Sequence, residues 1–520
     1  MGGAVTQEPT IDTRYKDPKQ PMNTRIKSLV AQMTLKEKIG QMAQIDRVEA
    51  TPEIMREFSI GSIISAAGST PHQDHRATPE QWVDMVNEYQ NGSLSSRLGI
   101  PMLYAIDSVH GHNSLYKATL FLHNVGLGAT RDPELVKRIG AATAVETRAT
   151  GIPYAFSPCI AVCRDPRWGR CYESYSEDHK IVEQMTDIIL GLQGEPPSNS
   201  MKGVPYIGGK DKVVACAKHF VGDGGTIHGI DENNTLTDWK GMLNIHMPGY
   251  YHSIIKGVST IMVSYSSWNG VKMHSNRNLI TQFLKTTLKF RGVDRMTYPW
   301  GSNYSTSLLT AINAGVDMVM VPPNHTEFLR ILTSHVNNKL IPMSRIDDAI
   351  KKNFEGQVRT HKDLAREAVR KSLVLLKNGK DVKNHMLPLP KKTSKILVVG
   401  THANNLGLQC GGWTITWQGL NTNNLTTGTT ILNAISATVD PSTEIVYSAN
   451  PDVKSLKANE YPYAIVVGAS RRALPSNDGC PEPRGRHRNE GQGVAMCSLV
   501  IMVSRESCKN LVQESGPDFL

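Results

Sequence analysis

Lys212-Val213-Val214-Ala215-Cys216-Ala217-Lys218-His219 decides the fold. A short apolar run, of the length of one buried strand, stops where a cation and an imidazole begin. The same event recurs along the chain. Residues 59–65, 101–106, 154–162, 260–265 and 316–321 are further strand candidates, and helical spacing fills the intervals between them. Polar residues follow these runs directly: Asp107 and His110 after one, Arg164 to Arg170 after another, Lys218-His219 after a third, with Tyr265 closing a fourth. Strands alternating with helices predict a parallel α/β domain. Reactive groups at the carboxyl ends of successive strands predict a (β/α)8-type barrel, in which all those ends open on one face. A doubly wound sheet is the alternative, but the Gly-rich phosphate loop expected after its first strand is absent.

The rhythm fails once. A helix carrying Leu279, Ile280, Phe283, Leu284 and Leu288 is followed by one carrying Leu308, Leu309 and Ile312 and closed by Gly315. Between them, Phe290-Arg291-Gly292-Val293-Asp294-Arg295-Met296-Thr297-Tyr298-Pro299-Trp300 offers no apolar run able to make a strand, so the expected barrel lacks one strand. Residues 10–355 form this first domain, and 356–393 read as a helical linker ending in Pro388-Leu389-Pro390-Lys391-Lys392. Residues 394–520 read as a smaller, truncated α/β sandwich, with buried strands at 395–400 and 464–468, a helix around 430–439, and at most one more strand at 499–503.

The chain has 520 residues, long enough for two or three domains, and its 20% charged and 39% hydrophobic content is that of a globular protein. A net charge of +10 is modest over this length. The one basic concentration, Arg471-Arg472 with Arg484, Arg486 and Arg488, lacks interleaved aromatics, so no nucleic-acid partner is expected. No apolar run approaches ~20 residues, so no membrane span is expected. The first residues lack the basic and apolar parts of a signal peptide, which leaves a cytosolic location and a processed or incomplete start both open. Sequons at Asn91, Asn233, Asn303, Asn324 and Asn424 permit glycosylation. Of eight cysteines, Cys163 and Cys171 bracket a short loop in a way that suits a disulfide. The others form no C-x-x-C pair and have no His at ligand spacing, so no metal site is predicted.

The block Cys163-Arg164-Asp165-Pro166-Arg167-Trp168-Gly169-Arg170-Cys171-Tyr172-Glu173-Ser174 concentrates charges around an indole. Guanidinium and carboxylate groups chelate neighbouring hydroxyls and an indole offers a face to a sugar ring, which points to a polyhydroxylated ligand. A salt-bridged surface loop closed by a disulfide is the competing reading. Lys218 and His219 are adjacent, so on a regular strand they would point to opposite sides; at a strand terminus both could reach one ligand.

These words together resemble plant β-D-glucan exohydrolases and β-glucosidases of glycoside hydrolase family 3, over residues 10 to about 470. The resemblance rests on Asp107-Ser108-Val109-His110-Gly111, residues 163–178, Lys218-His219-Phe220, residues 264–270 and Cys410-Gly411-Gly412-Trp413. It implies a retaining hydrolase of terminal β-D-glucosyl residues that needs no cofactor, is extracellular or in the cell wall, and takes a β-linked glucose oligosaccharide or glucan. Asp107, Arg170, Lys218, His219 and Tyr265 would line the pocket with Arg295 nearby, Glu232 would support it, and Trp413 or Trp417 would wall the second sugar. Glu490, in Glu490-Gly491-Gln492-Gly493, would be the acid/base.

One element of the family pattern is missing. The nucleophile is an aspartate in a Ser-Asp-Trp context ahead of a Gly-Ile-Asp-Arg run, and here Arg291-Gly292 passes directly to Val293-Asp294-Arg295. Asp294 matches the later aspartate. Three expectations follow: an active exo-glucosidase, a sugar-binding relative without turnover, or a chain destabilised by the gap in its barrel.

Overall fold

The computed structural model describes residues 12–208, 211–290, 292–296, 303–321, 324–351, 386–451, 461–469 and 498–504. Among the described residues, eight strands form the main sheet of the first domain: β1 (Ala43–Asp46), β2 (Ser62–Ile64), β3 (Leu103–Ile106), β4 (Tyr154–Ala155), β5 (Cys216–Phe220), β6 (Thr260–Val263), β7 (Val293–Met296) and β8 (Met318–Met320). They lie side by side in chain order, all parallel. β8 pairs with β1, and a parallel bridge from Tyr154 to Val214 joins β4 to the approach of β5, so the sheet closes on itself.

The helices between strands start where the sequence caps them. Thr78-Pro79-Glu80-Gln81 opens Pro79–Leu94 with a capping box, the Thr78 hydroxyl accepting from the Gln81 N–H and the Gln81 side chain accepting from Thr78 N–H. Asp132 caps Pro133–Ala149 through its own side chain, with proline again at the first turn. Alternation along the strands then divides the core into two layers. On β6, Ile261 faces the helices, while Met262 joins Ile64, Ala105, Tyr154, Phe156, Cys216 and Met320 inside the barrel. Burying a large apolar side chain such as Phe156 or Met262 is worth about 1.5–3 kcal/mol.

The expected gap in the barrel is corrected by β7. Val293, Asp294 and Arg295 pair with Thr260, Ile261 and Met262 on one side, and Arg295 and Met296 pair with Met318 and Val319 on the other. Without these four residues the two neighbouring strands would each present an unpaired edge, and satisfying both ladders outweighs weak local propensity. Two further strand readings shift. β1 went unseen because Gln44 and Asp46 interrupt its apolar pattern; Gln44 is buried, its amide donating to Ser62 Oγ at 2.6 Å. The candidate at 154–162 is a regular strand only over Tyr154–Ala155; beyond it a single parallel bridge from Cys159 to Lys218 carries the pairing towards β5.

The second domain holds β9 (Lys395–Val399), β10 (Glu444–Ser448), β11 (Tyr463–Ala469) and β12 (Ser498–Ser504), in the order β10-β9-β11-β12 with the last antiparallel. Ile396, Val398, Ile465 and Val467 pack against the helix Ile431–Ser436, while Leu397, Val399 and Ala464 face the other way. A third, small sheet joins Asn234–Thr235, Ser267–Trp268 and Val271–Lys272. Glu490, the arginines at 471–488 and most of the linker lie outside the described residues. Among the described residues no helix is long and apolar enough to cross a membrane.

Candidate active site

The carboxyl ends of β3 and β5 bring the first pair together. Asp107 follows β3, Lys218 lies in β5, and the ammonium donates to Asp107 Oδ1 at 2.6 Å. Lys218 is 1% exposed, so this is a buried ion pair, whose worth depends on keeping both partners. Pairing between β5 and β6 skips His219, running from Lys218↔Met262 to Phe220↔Val263. That bulge breaks the strict alternation expected of neighbours and lets both side chains serve one site.

His219 starts a chain of hydrogen bonds that crosses the site. Its Nε2 lies 3.2 Å from Arg170 Nη2, and a guanidinium only donates, so Nε2 accepts. Nδ1 then carries the proton and donates to Asp223 Oδ2 at 2.8 Å. Arg170 also donates bidentately to Glu173, at 2.7 and 2.9 Å. Glu173 in turn accepts from Trp413 Nε1 at 3.2 Å, and the Trp413 ring lies 5.4 Å from Lys218 Nζ. The barrel and the second domain therefore share one polar network.

Burial, with the Arg170 and Lys218 charges beside it, holds His219 well below the usual imidazole range. Burial raises the Asp223 carboxyl to about 7. Burial also opposes ionisation of Glu173, but the Arg170 guanidinium outweighs it and leaves the carboxyl below its ordinary range. Glu232 is raised, first by burial and then by Asp231.

The second-domain loop is held by histidines. His110 Nε2 lies 3.3 Å from Trp413 O and its Nδ1 3.0 Å from Phe121 O, while His123 Nε2 lies 3.2 Å from Cys410 O. The two rings stack at 4.0 Å. Burial drives His110 down to about 4 and His123 well below the ordinary value. Ile415 N donates to Asn113 O at 2.7 Å, a further tie between the domains.

The charged block divides. Cys163 and Cys171 are disulfide-bonded, with Cα atoms 5.4 Å apart. Arg164 and Arg167 are exposed, Arg167 pairing with Asp165 as the surface-loop reading expects. Arg170 alone turns inward. Trp168 is no sugar platform: it packs on Cys159, Ala161 and Cys163, and its indole N–H donates to Asp231 at 2.7 Å. Trp413 is buried and Trp417 exposed, their rings 6.1 Å apart. Glu232 and Tyr265 are half-buried and meet through Lys272, whose ammonium donates to Tyr265 O at 2.8 Å and Glu232 O at 3.4 Å. Arg295 is placed by its backbone register in β7.

Three residues of this hydrogen-bonded cluster were not singled out from the sequence. Glu173 was visible only as the carboxylate three residues after Arg170, and Asp223 only as the acid in Gly222-Asp223-Gly224-Gly225, four residues after His219. His123 carried no local signal. Cys159, His219 and Asp223 also bring sulfur, nitrogen and oxygen within 4.8 Å of one another. They suit a cation poorly: both His219 nitrogens are engaged, Arg170 and Lys218 repel positive charge, and burial pushes the Cys159 thiol up.

A parallel barrel with charged groups gathered at its strand ends, joined to an α/β domain that adds a tryptophan, defines the class of protein. Residues 34–354 match the glycosyl hydrolase family 3 N terminal domain and residues 373–505 its C-terminal domain. The chain belongs to this family. It is 30% identical over 448 residues to a lysosomal beta glucosidase of Dictyostelium discoideum, covering 76% of this chain and 53% of the relative. It is 26% identical over 426 residues to a periplasmic beta-glucosidase of Salmonella typhimurium, covering 75% and 51%. An exo-1,3/1,4-beta-glucanase structure from a Pseudoalteromonas species superposes with a TM-score of 0.77 at 37% identity, covering 87% of this chain and 59% of that one. The chain thus spans about half the length of these curated relatives.

Proposed function

We propose that this chain is a glycoside hydrolase of the β-glucosidase or β-glucan exohydrolase type, holding the non-reducing-end β-D-glucosyl residue of an oligosaccharide or glucan. The observation that carries this reading is the convergence of Asp107–Lys218 and Arg170–His219 beneath Trp413. Asp107 accepts sugar hydroxyls, Lys218 and Arg170 donate to them, and Trp413 packs on the apolar side of a ring. Asp223 fixes the His219 tautomer, leaving Nε2 as an acceptor that a hydroxyl can use in place of Arg170. The family membership and the names of the relatives support the substrate class.

Retention requires two carboxyl groups about 5–5.5 Å apart. Glu490 is our candidate acid/base. A second reading, a sugar-binding relative without turnover, is favoured by β7: Asp294 sits within the strand at the register of Ile261, and no Ser-Asp-Trp precedes it. A reacting group displaced by even 1 Å loses on the order of 10²-fold in rate. We infer an extracellular or cell-wall location from the plant-type motifs; the Cys163–Cys171 disulfide suits an oxidising compartment.

The test is hydrolysis of an aryl β-glucoside, run with a mechanism-based trap and a glucose titration. Turnover with a glycosyl group trapped on this chain supports the enzyme. Saturable glucose binding with background turnover establishes the second reading. Neither binding nor turnover overturns both.

A further inference from the structure

The small sheet beside Glu232 and Tyr265 carries a second group of aromatic residues. Trp268 is fixed in it: its indole N–H donates to Thr237 O at 2.8 Å, Asn269 Nδ2 donates to the same carbonyl at 2.9 Å, and Gly270 N donates to Asn234 Oδ1 at 2.9 Å. Trp239 lies beside it, ring centroids 5.7 Å apart and tilted by 39°, and meets Phe283 edge-on at 5.2 Å. Trp239 is 44% exposed, and Leu236 at 62% and Val271 at 48% continue the apolar surface. Exposed Asn233, Asn269 and Lys240 stand on the rim.

Large apolar side chains held rigidly in water mark a binding surface. The occupant follows from size and chemistry. Three partly exposed side chains fall well short of the ~800 Å² that each partner of a stable protein complex buries. A slender polymer needs less. Pyranose rings offer apolar C–H faces to rigid indoles and hydroxyl edges to amides, and rigid aromatics lose little entropy on binding. The strands that carry Trp268 and Asn234 follow directly on Tyr265 and Glu232, and Lys272 ties both to the sheet.

We propose that the Trp239–Trp268 surface is a non-catalytic binding site for the extended part of a β-glucan chain. This rests on the β-glucosyl reading of the pocket, and the two are separable. In native gels containing soluble mixed-linkage β-glucan, wild-type protein is retarded, and Trp239→Ala weakens the apparent affinity about tenfold, equivalent to about 1.4 kcal/mol. Trp239→Phe restores most of the retardation. Calorimetric glucose binding is unchanged in both variants. Asp107→Asn behaves oppositely, losing glucose binding while remaining retarded by the polymer. The proposal is overturned if Trp239→Ala migrates like wild type in the glucan gel, or if it instead converts a dimer to a monomer by light scattering. Loss of the effect of Asp107→Asn on glucose binding overturns the pocket reading alone.

Discussion

Strands β3 and β5 end in side chains that pair with one another across the barrel mouth, whereas β7 is held in place by its backbone neighbours. On the first wall, an ion pair of 2.6 Å joins Lys218 to Asp107 and a hydrogen bond of 3.2 Å joins Arg170 to His219. On the second, a four-residue strand completes the cylinder through register with Thr260–Met262 and Met318–Val319. The difference teaches that closing a barrel and equipping its mouth are separate demands. A short polar segment meets the first demand through its backbone alone.

The comparison is sharpened most strongly at the buried pair. Lys218→Ala strands the Asp107 carboxylate in the interior and is expected to cost about 3–5 kcal/mol in urea unfolding. A cost below about 1 kcal/mol would show that the first wall is not held by this pair. The disulfide that shapes the Arg170 loop comes next. Its sequence separation of 8 predicts that the Cys163→Ser/Cys171→Ser double variant loses about 2–3 kcal/mol. Reducing agent should cost the wild type the same and the variant nothing.

Protonation tests how the second domain is fastened to the first wall. His110 titrates near 4 in the folded chain, against an ordinary unfolded value near 6.5, so below 6.5 the unfolded chain takes up the proton first. Stability from this group is therefore complete above pH 6.5 and is lost as pH falls towards 4, by about 2 kcal/mol between pH 7 and pH 5. Asp223, raised to about 7, acts in the opposite direction over that window. The clean readout is thus a difference: His110→Gln should remove about 2 kcal/mol of the wild-type acid loss, and parallel pH profiles would refute the assignment. The smallest effect is expected on the second wall. Asp294→Asn should change glucose affinity and any residual turnover by less than about twofold. A loss on the order of 10²-fold or more would make Asp294 the nucleophile.

Legibility followed the same division. Runs such as 212–217 and 260–265 stood out because apolar residues fill both barrel layers there, and the polar residues after them marked the mouth. β7 and β1 did not stand out, because Asp294 and Arg295 in one and Gln44 and Asp46 in the other carry no hydrophobic signal; their strand character comes from neighbours distant in sequence. Within the site, Asp107, Arg170 and Lys218 could be named from local words. Glu173 and His123 could not, since the partners Trp413 and Cys410 lie 240 and 287 positions away; Asp223, four positions from His219, sits in a glycine-rich turn without periodicity. Trp168 was misread for a related reason: an indole in a charged loop looks exposed until Asp231 and the cysteines close over it.

The central claim is that the first wall is a glucosyl pocket, and isothermal titration of the purified chain with glucose and with a β-linked glucose disaccharide tests it most directly. The account predicts saturable one-site binding that Asp107→Asn abolishes while the folded baseline by circular dichroism is kept. Binding of equal strength in wild type and Asp107→Asn, or no binding heat in the folded wild type, would contradict it.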